Sequence, residues 1–186
     1  NAKKLLELRD INVKSVSVVG GVSNNSYIKD IALIDNYLWI TTEYKLLCYN
    51  INSEVIIPFN FVGNINEIND YVDIITKFYT IFYDGIKLYV ATNQGIIAYN
   101  NVNSTWELIA DPTIYNNKVV NKLYVYKKQL FIVTENDLIR SKIKKGFSRT
   151  YDYKFIGRIN DIFVENNDLW LATNNGLIQF KWKKDL

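Results

Sequence analysis

Two aspartates occupy equivalent positions in two copies of a repeated segment, and carboxylates are side chains that could carry out chemistry. Asp30 and Asp161 each stand eight residues before a repeated Leu, and Thr80 and Lys122 hold the matching places in the other two copies. A pair of carboxylates could coordinate a cation, or act as acid and base on a glycan. The alternative is structural, since each carboxylate could instead accept hydrogen bonds from the backbone of a neighbouring loop.

The residue types that are missing restrict the chemistry further. The chain contains no His, which excludes His-based acid–base catalysis, nucleophilic triads with His and ordinary His metal sites. Cys48 is the one cysteine; it lies in an apolar run and is expected to be a small buried hydrophobe. No glycine-rich phosphate loop is found in the sequence. We therefore predict a protein that is not an enzyme and that has no cofactor and no metal site.

The segment that must position these aspartates is written four times. The copies share a Leu, then an aromatic residue, an aliphatic residue and, at the fifth position, a Thr. They are LWITTEYKLLCY (Leu38 to Tyr49), LYVATNQGIIAY (Leu88 to Tyr99), LFIVTENDLIRS (Leu130 to Ser141) and LWLATNNGLIQF (Leu169 to Phe180). Their starts lie 50, 42 and 39 residues apart. An internal period of this length indicates a propeller or a solenoid.

Each copy is preceded by an apolar alternation and a turn. Ile31 and Leu33, for example, stand seven and five residues before the repeated Leu, on one face of a strand. The turns that follow are Asp35-Asn36, Asp84-Gly85, Lys127-Lys128 and Asn166-Asn167, and all but the lysine pair favour a two-residue hairpin. With one more strand downstream, each unit predicts four antiparallel strands, which is the architecture of a propeller blade.

We therefore predict an all-β protein, residues 1–186, that forms a single β-propeller domain or a fragment of one, with four recognisable four-stranded antiparallel blades. The repeats cover about 27–60, 77–111, 118–156 and 158–182, and the insertion at 60–77 predicts a short helix or a packed loop. The last repeat ends after its third strand. The blades therefore form either a small closed ring, completed by an N-terminal strand at 14–19, or an arc of a larger propeller.

The aromatic residue at the second repeat position has a structural and a functional interpretation. One blade cannot bury both of its faces, so this residue is expected to pack against the next blade. The alternative is a platform on which a ligand stacks. The four residues concerned are Trp39, Tyr89, Phe131 and Trp170.

The unit INDIFVENNDLWLATNNGLIQF, Ile159 to Phe180, resembles the two-component regulator propeller repeat. That pattern runs roughly I-x-x-I-x-x-D-x-x-G-x-LW-I-G-T-x-x-G-L-x-x-Y, and the first and fourth units match it well, the second fairly and the third weakly. The family's Gly before the repeated Thr is replaced by Thr41, Ala91, Val133 and Ala172. In that family the propeller is typically the extracytoplasmic sensor of a hybrid histidine kinase, often for carbohydrate fragments. Similar repeats also occur in other bacterial and phage proteins.

The resemblance implies a sensor, so we predict a non-catalytic ligand-binding propeller that recognises a polar ligand such as a carbohydrate. The loops after the second strand of each unit would project on the same face as the two aspartates. Side-chain amides and aromatic rings there suit sugars. The predicted ligand-binding residues are Asp30, Glu43, Tyr44, Asn93, Gln94, Glu135, Asn136, Asp161, Asn174 and Asn175.

Two other functions are open. One is a structural or protein-interaction propeller of a phage or surface assembly, which would self-associate or bind a partner protein through its blade edges or the insertion. The other is a glycan-active enzyme built around Asp30 and Asp161. The third unit is basic, with ten Lys or Arg against three acidic residues from Lys118 to Lys154. This surplus predicts either a solvated blade edge or a docking patch for an acidic partner.

Charge and hydropathy bear on location and partners. A net charge of +3 is too small to imply a nucleic-acid partner, and no apolar run approaches the roughly 20 residues that span a bilayer. The sequence has no Met, and Asn1-Ala2 resembles a tag remnant, so we expect a piece of a longer protein. The expected location is extracytoplasmic, in the periplasm or at the cell surface, with a virion or the cytoplasm as alternatives.

Overall fold

The structure is a computed structural model that describes residues 27–58, 74–143, 148–152 and 155–183. The strand predicted at 14–19 and most of the insertion at 60–77 lie outside the described residues. Among those that are described, the one helical segment is a 3₁₀ helix, Pro112–Tyr115. None of the described helical structure is long and apolar enough to cross a membrane.

The described strands form four antiparallel sheets, which are the blades of a propeller. Three sheets have four strands each in sequential order, and the last has three. Blade 1 comprises β1 (Ile28–Ile34), β2 (Tyr37–Thr42), β3 (Leu46–Asn50) and β4 (Val55–Pro58), and blade 2 comprises β5 (Phe78–Tyr83), β6 (Lys87–Thr92), β7 (Gly95–Asn100) and β8 (Thr105–Ala110). Blade 3 comprises β9 (Lys122–Tyr126), β10 (Gln129–Val133), β11 (Asp137–Lys142) and β12 (Ser148–Asp152), and blade 4 comprises β13 (Ile159–Glu165), β14 (Asp168–Thr173) and β15 (Gly176–Lys181). The predicted all-β propeller with four blades is confirmed.

The first hairpin of each blade turns through left-handed backbone. The φ angles are 53° at Asp35, 96° at Gly85 and 54° at Asn166, where a short polar side chain or none tolerates this conformation. Blade 3 instead places Lys127 and Lys128 there, with φ of 48° and 63°. Lysine has no local preference for this region, so the flanking strands must hold that turn.

The repeated Thr closes the tight turn after the second strand of every blade. Thr92 Oγ1 donates a hydrogen bond to the carbonyl of Gly95 at 2.8 Å and accepts one from the backbone N–H of Gln94 at 3.1 Å. Similar pairs of bonds are made by Thr42, Thr134 and Thr173. All four side chains are buried. The Thr recurs because its hydroxyl gives a backbone N–H of the turn an acceptor, and it adds a second donor to a carbonyl that in blades 1 and 3 also accepts from the N–H of the Thr itself.

Successive blades pack face to face around inner strands β1, β5, β9 and β13, which lie side by side in that order. Three hydrophobic clusters fill the spaces between blades 1 and 2, 2 and 3, and 3 and 4. The ring of Trp39 lies 5.8 Å from that of Trp106 in blade 2, and Phe131 lies 5.5 Å from Trp182, which follows β15. Tyr89 belongs to the cluster shared with blade 3. These three repeated aromatics are therefore core residues that face the next blade, as predicted.

Blade 1 has an apolar face that the described residues leave uncovered. Ile31 and Leu33 are 56% and 57% exposed. Their counterparts in blade 4, Ile162 and Val164, are buried in the cluster shared with blade 3. The same apolar positions are thus used for packing between blades within the molecule and are exposed at its first blade.

Blade 4 has the complementary open face. Phe163 and Leu177 are 51% and 69% exposed, and Trp170, paired with Phe163 across the hairpin, is half-buried. The packing predicted for Trp170 against a next blade is thus not seen among the described residues. The close contact between successive inner strands is likewise not repeated between β13 and β1 in the described part of the chain.

Candidate ligand-binding site

Three of the four inner strands carry a β-bulge at their first residues. The pairing of β1 with β2 shifts register between Ile28 and Asp30, and the same shift occurs at the start of β5 and of β13. The residues at the three bulges are Lys29, Tyr79 and Asn160. A bulge leaves one residue without a partner and redirects its side chain. The bulges therefore take these three side chains out of the alternation that governs the rest of each strand.

The bulge residues share a cavity of about 330 Å³ at the start of the inner strands, which we call the axial cavity. All four blades contribute to it. The described residues that line it are Lys29, Tyr79, Val119, Val120, Asn121, Lys122, Arg158, Ile159 and Asn160. Lys29 Nζ lies 5.7 Å from the centre of the Tyr79 ring, and burial raises the pKa of the Tyr79 phenol. The cavity thus combines cationic groups, amides and one aromatic surface.

A second cavity of about 310 Å³ shares Arg158 and Ile159 with the axial cavity. It is lined on its other side by the loop that carries Glu135 and Asn136. Gly157 also lines it with φ of 80°, and a Cβ atom there would lie 2.9 Å from Asn175 Nδ2. Three of the predicted site residues therefore lie at or beside one cavity between blades 3 and 4.

Asp30 joins blade 1 to blade 2. Its Oδ2 accepts hydrogen bonds from Thr80 Oγ1 at 2.6 Å and from the backbone N–H of Ile81 at 3.2 Å, and its Oδ1 accepts one from the N–H of Ile31 at 3.0 Å. This is the structural role that the sequence left open as an alternative. Asp161 Oδ1 accepts from the N–H of Ile162 at 2.9 Å in the same way. Neither carboxylate lines the two cavities.

Two predicted residues support the segment that leads into β5. Asn93 Oδ1 accepts hydrogen bonds from the backbone N–H groups of Thr76 and Lys77 at 3.0 and 2.9 Å. The carbonyl of Glu43 accepts one from the N–H of Phe78 at 2.9 Å, and its carboxylate lies 3.9 Å from Lys77 Nζ. Glu43 thus joins blade 1 to blade 2, and Asn93 holds the segment that enters blade 2.

The remaining predicted residues differ in their surroundings. Asn174 Oδ1 accepts a hydrogen bond from Asn160 Nδ2 at 2.8 Å and so orients one bulge residue of the axial cavity. Tyr44 is 59% exposed, and Gln94 is half-buried. Asn174 is therefore the predicted residue that bears most directly on the axial cavity.

The residues that line the axial cavity are not among those predicted from the sequence to bind a ligand. The position nine residues before the repeated Leu holds Lys29, Tyr79, Asn121 and Asn160, and all four line it. This position is polar or aromatic in every unit, whereas the position seven residues before the repeated Leu is apolar in every unit. The polar and aromatic residues at this position could have indicated a site. The alternation expected of a regular strand did not distinguish this position from its neighbours.

The described groups at the two cavities are ones that can bind a polar ligand. The described ranges contain no group of three His, Cys, Asp or Glu side chains that could hold a metal ion. Burial raises the pKa of the Cys48 thiol to about 11, which keeps it protonated at neutral pH. Ammonium, guanidinium, amide, phenol and carboxylate groups line the two cavities, and these bind polar ligands through directional hydrogen bonds.

Comparison with known proteins supports the fold. No protein-family model matches the chain, and no curated protein does. One similar structure is the extracellular domain described for a one-component system of B. thetaiotaomicron, with 23% identity, a TM-score of 0.59 and coverage of 82% of this chain. The extracellular domain described for a hybrid two-component system of the same organism has 17% identity, a TM-score of 0.55 and 85% coverage. The computationally designed Ika4 protein has 7% identity, a TM-score of 0.58 and 86% coverage.

The shares of those proteins that are covered differ widely. This chain spans 20% and 25% of the two extracellular domains, and 94% of the designed protein. At these identities the likeness establishes the propeller fold. It also agrees with the resemblance to the two-component regulator propeller repeat seen in Ile159 to Phe180.

Proposed function

We propose that this chain is a non-catalytic ligand-binding propeller, the extracytoplasmic sensor part of a two-component-type regulator, and that it recognises a polar ligand such as a carbohydrate. The observation that carries the proposal is the shared cavity at the start of the inner strands. Three β-bulges direct side chains from three blades into it. Bulges are enriched beside functional sites because they re-aim side chains.

Two further observations support this function. The similar structures include extracellular domains of one- and two-component systems. The adjoining cavity is lined by Glu135 and Asn136, so exposed polar groups extend outward from the axial cavity. Both oxygens of Asp30 already accept hydrogen bonds, which disfavours the glycan-active enzyme as an alternative.

The test is to titrate the protein with a panel of oligosaccharides and to measure binding by calorimetry and by NMR. A saturable ligand should bind about fivefold more weakly to Asn136→Ala and to Asn174→Ala, since each loses roughly one hydrogen bond or its support. Asn52→Ala is the control, because Asn52 lies in the turn between β3 and β4 at the opposite end of the strands. Absence of saturable binding to the whole panel, or equal affinity in all three variants, would count against the proposal.

A second candidate function is association through the blades. The open faces of blades 1 and 4 expose the same apolar positions that pack between blades elsewhere in the molecule. Exposed apolar patches of this kind mark interaction surfaces. Phe163→Lys combined with Leu177→Lys should abolish concentration-dependent association in analytical ultracentrifugation. Phe155→Lys is the control, because Phe155 is 97% exposed and lies between β12 and β13. A wild-type protein that stays monomeric at all concentrations would remove support for this candidate.

A further inference from the structure

The described lining of the axial cavity carries three cationic side chains, whereas two carboxylates, those of Glu135 and Asp137, line the adjoining cavity that shares Arg158. Lys29, Lys122 and Arg158 all line the axial cavity, and its described lining contains no carboxylate. The ion pairs that the structure describes join other residues, namely Lys77 with Glu43, Lys87 with Glu107, Lys118 with Asp137 and Lys181 with Asp168. Like charges that converge in one cavity raise the local potential and attract an anion.

The backbone determines where each of the three cations is attached. Lys29 is the bulge residue of β1, and Lys122 is the first residue of β9. Arg158 directly precedes β13, and its carbonyl accepts a hydrogen bond from the N–H of Asn174 at 3.1 Å. The cations thus come from three different blades and are brought together by the propeller itself, not by one basic stretch of sequence.

The acidic residue next to Lys29 in the sequence, Asp30, has other partners and does not line the axial cavity. Asp30 follows Lys29 directly, but its carboxylate is engaged by Thr80 and by the N–H of Ile81 across the boundary between blades. A carboxylate held by hydrogen bonds in this way is fixed away from the cavity. The charge of Lys29 is therefore available to a ligand.

The uncharged part of the lining favours a ligand with hydroxyl groups. Asn121 and Asn160 offer amides, and Asn160 is oriented by its bond to Asn174. Tyr79, which is 9% exposed and has Lys29 Nζ over its ring, adds an aromatic side chain to the lining. The volume of about 330 Å³ lies at the small end of the roughly 300 to 1,000 Å³ typical of ligand cavities.

We propose that the axial cavity binds an anionic small ligand, an acidic sugar that bears a carboxylate, sulfate or phosphate group, with Lys29, Lys122 and Arg158 contacting the anionic group. This inference rests on the proposed sensor function and deepens it, because it states the charge of the ligand and the residues that recognise that charge. Ammonium and guanidinium groups form charge-assisted hydrogen bonds with such anions.

The experiment compares three probes by NMR titration of the isotopically labelled protein: glucose 6-sulfate, inorganic sulfate and glucose. Lys122→Gln and Arg158→Gln remove one cation each, and each should weaken the binding of glucose 6-sulfate about fivefold or more. Lys128→Gln is the matched control, because it removes the same charge from the same blade at the other end of β9. Binding should also weaken as salt is added, since added ions screen the attraction.

The outcomes separate this inference from the proposed function. If glucose 6-sulfate binds more tightly than inorganic sulfate, an acidic sugar is the ligand; equal affinity identifies the free anion, and the cationic site stands in both cases. The inference is overturned if neither anion binds, if Lys128→Gln weakens binding as much as Lys122→Gln, or if glucose binds as well as its sulfate. In that last case the sensor function survives without the charge preference.

Discussion

The Thr at the fifth repeat position shows how a single side chain can explain a repeated motif. Its recurrence in Thr42, Thr92, Thr134 and Thr173 invites a functional interpretation, because the loops beside it project toward the candidate site. In the structure its hydroxyl is buried and bonded to both sides of the turn. The motif therefore recurs between blades for a structural reason, and the predicted ligand-binding residues lie around it.

The substitution Thr92→Val tests this role at the residue scale. Valine keeps the shape and removes the hydroxyl, which leaves the N–H of Gln94 without its acceptor and the carbonyl of Gly95 with one donor fewer. We expect the free energy of unfolding to fall by about 1 to 3 kcal/mol. Chemical denaturation monitored by fluorescence measures it. Thr150→Val, on an exposed position of β12, should change stability by less than about 0.5 kcal/mol. Equal effects in both variants would contradict the assigned role.

The buried Cys48 thiol should make the free energy of unfolding depend on pH. Burial raises its pKa from 9.0 to about 11. Because the folded-state pKa is the higher one, its contribution to stability is complete below about pH 9 and is lost as the pH rises toward 11. Between pH 8 and pH 10 the wild-type protein should lose about 1 kcal/mol more unfolding free energy than Cys48→Ala. Parallel pH profiles for the two proteins would show that the thiol is not shielded.

At the scale of elements, regular strands were the predictable part. Hydrophobic alternation and turn residues predict β1 at Ile28–Ile34 and β8 at Thr105–Ala110, and the structure has both with these bounds. The bulges were not predictable, because Lys29, Tyr79 and Asn160 look like ordinary alternating residues until the pairing register is known. The contribution of Arg158 to the cavity depends in addition on how blades 3 and 4 pack, which one repeat does not encode.

The two turn glycines of the repeat offer a matched pair of substitutions. Gly95 and Gly176 have the same repeat position and similar φ angles of 130° and 122°. A Cβ atom at Gly95 would lie 2.6 Å from the carbonyl oxygen of Ala110 in β8, whereas one at Gly176 meets nothing within 4 Å among the described atoms. The difference arises because β7 pairs with a fourth strand, β8, whereas β15 is the last strand of its sheet among the described residues.

We expect Gly95→Ala to destabilise the protein by about 2 kcal/mol more than Gly176→Ala. Both variants share the cost of a positive φ, so this cost cancels in the comparison. Thermal denaturation of the two variants and the wild type measures the difference. Equal destabilisation would indicate that β15 is also covered by a strand.

The described blades follow one another around the propeller, and each contacts the next. The inner strands meet in the order β1, β5, β9, β13, and one hydrophobic cluster joins each successive pair of blades. The internal period predicts such an arrangement from the sequence. The repeat pattern does not predict what covers the outer faces of blades 1 and 4, because this depends on contacts between residues far apart in the sequence.

These contacts between neighbouring blades have a consequence for dynamics. Blades 2 and 3 are covered by neighbours on both faces, while the described parts of blades 1 and 4 are covered on one, so the free energy of local opening should be lowest at the two ends. Amide hydrogen exchange should therefore be slowest in β6 and β10 and faster in β2 and β14. Uniform protection across these four second strands would mean that all blades open as one unit. If the gradient is found, a ligand in the axial cavity, which touches all four blades, should flatten it, because a bound ligand links the less stable end blades to the stable middle.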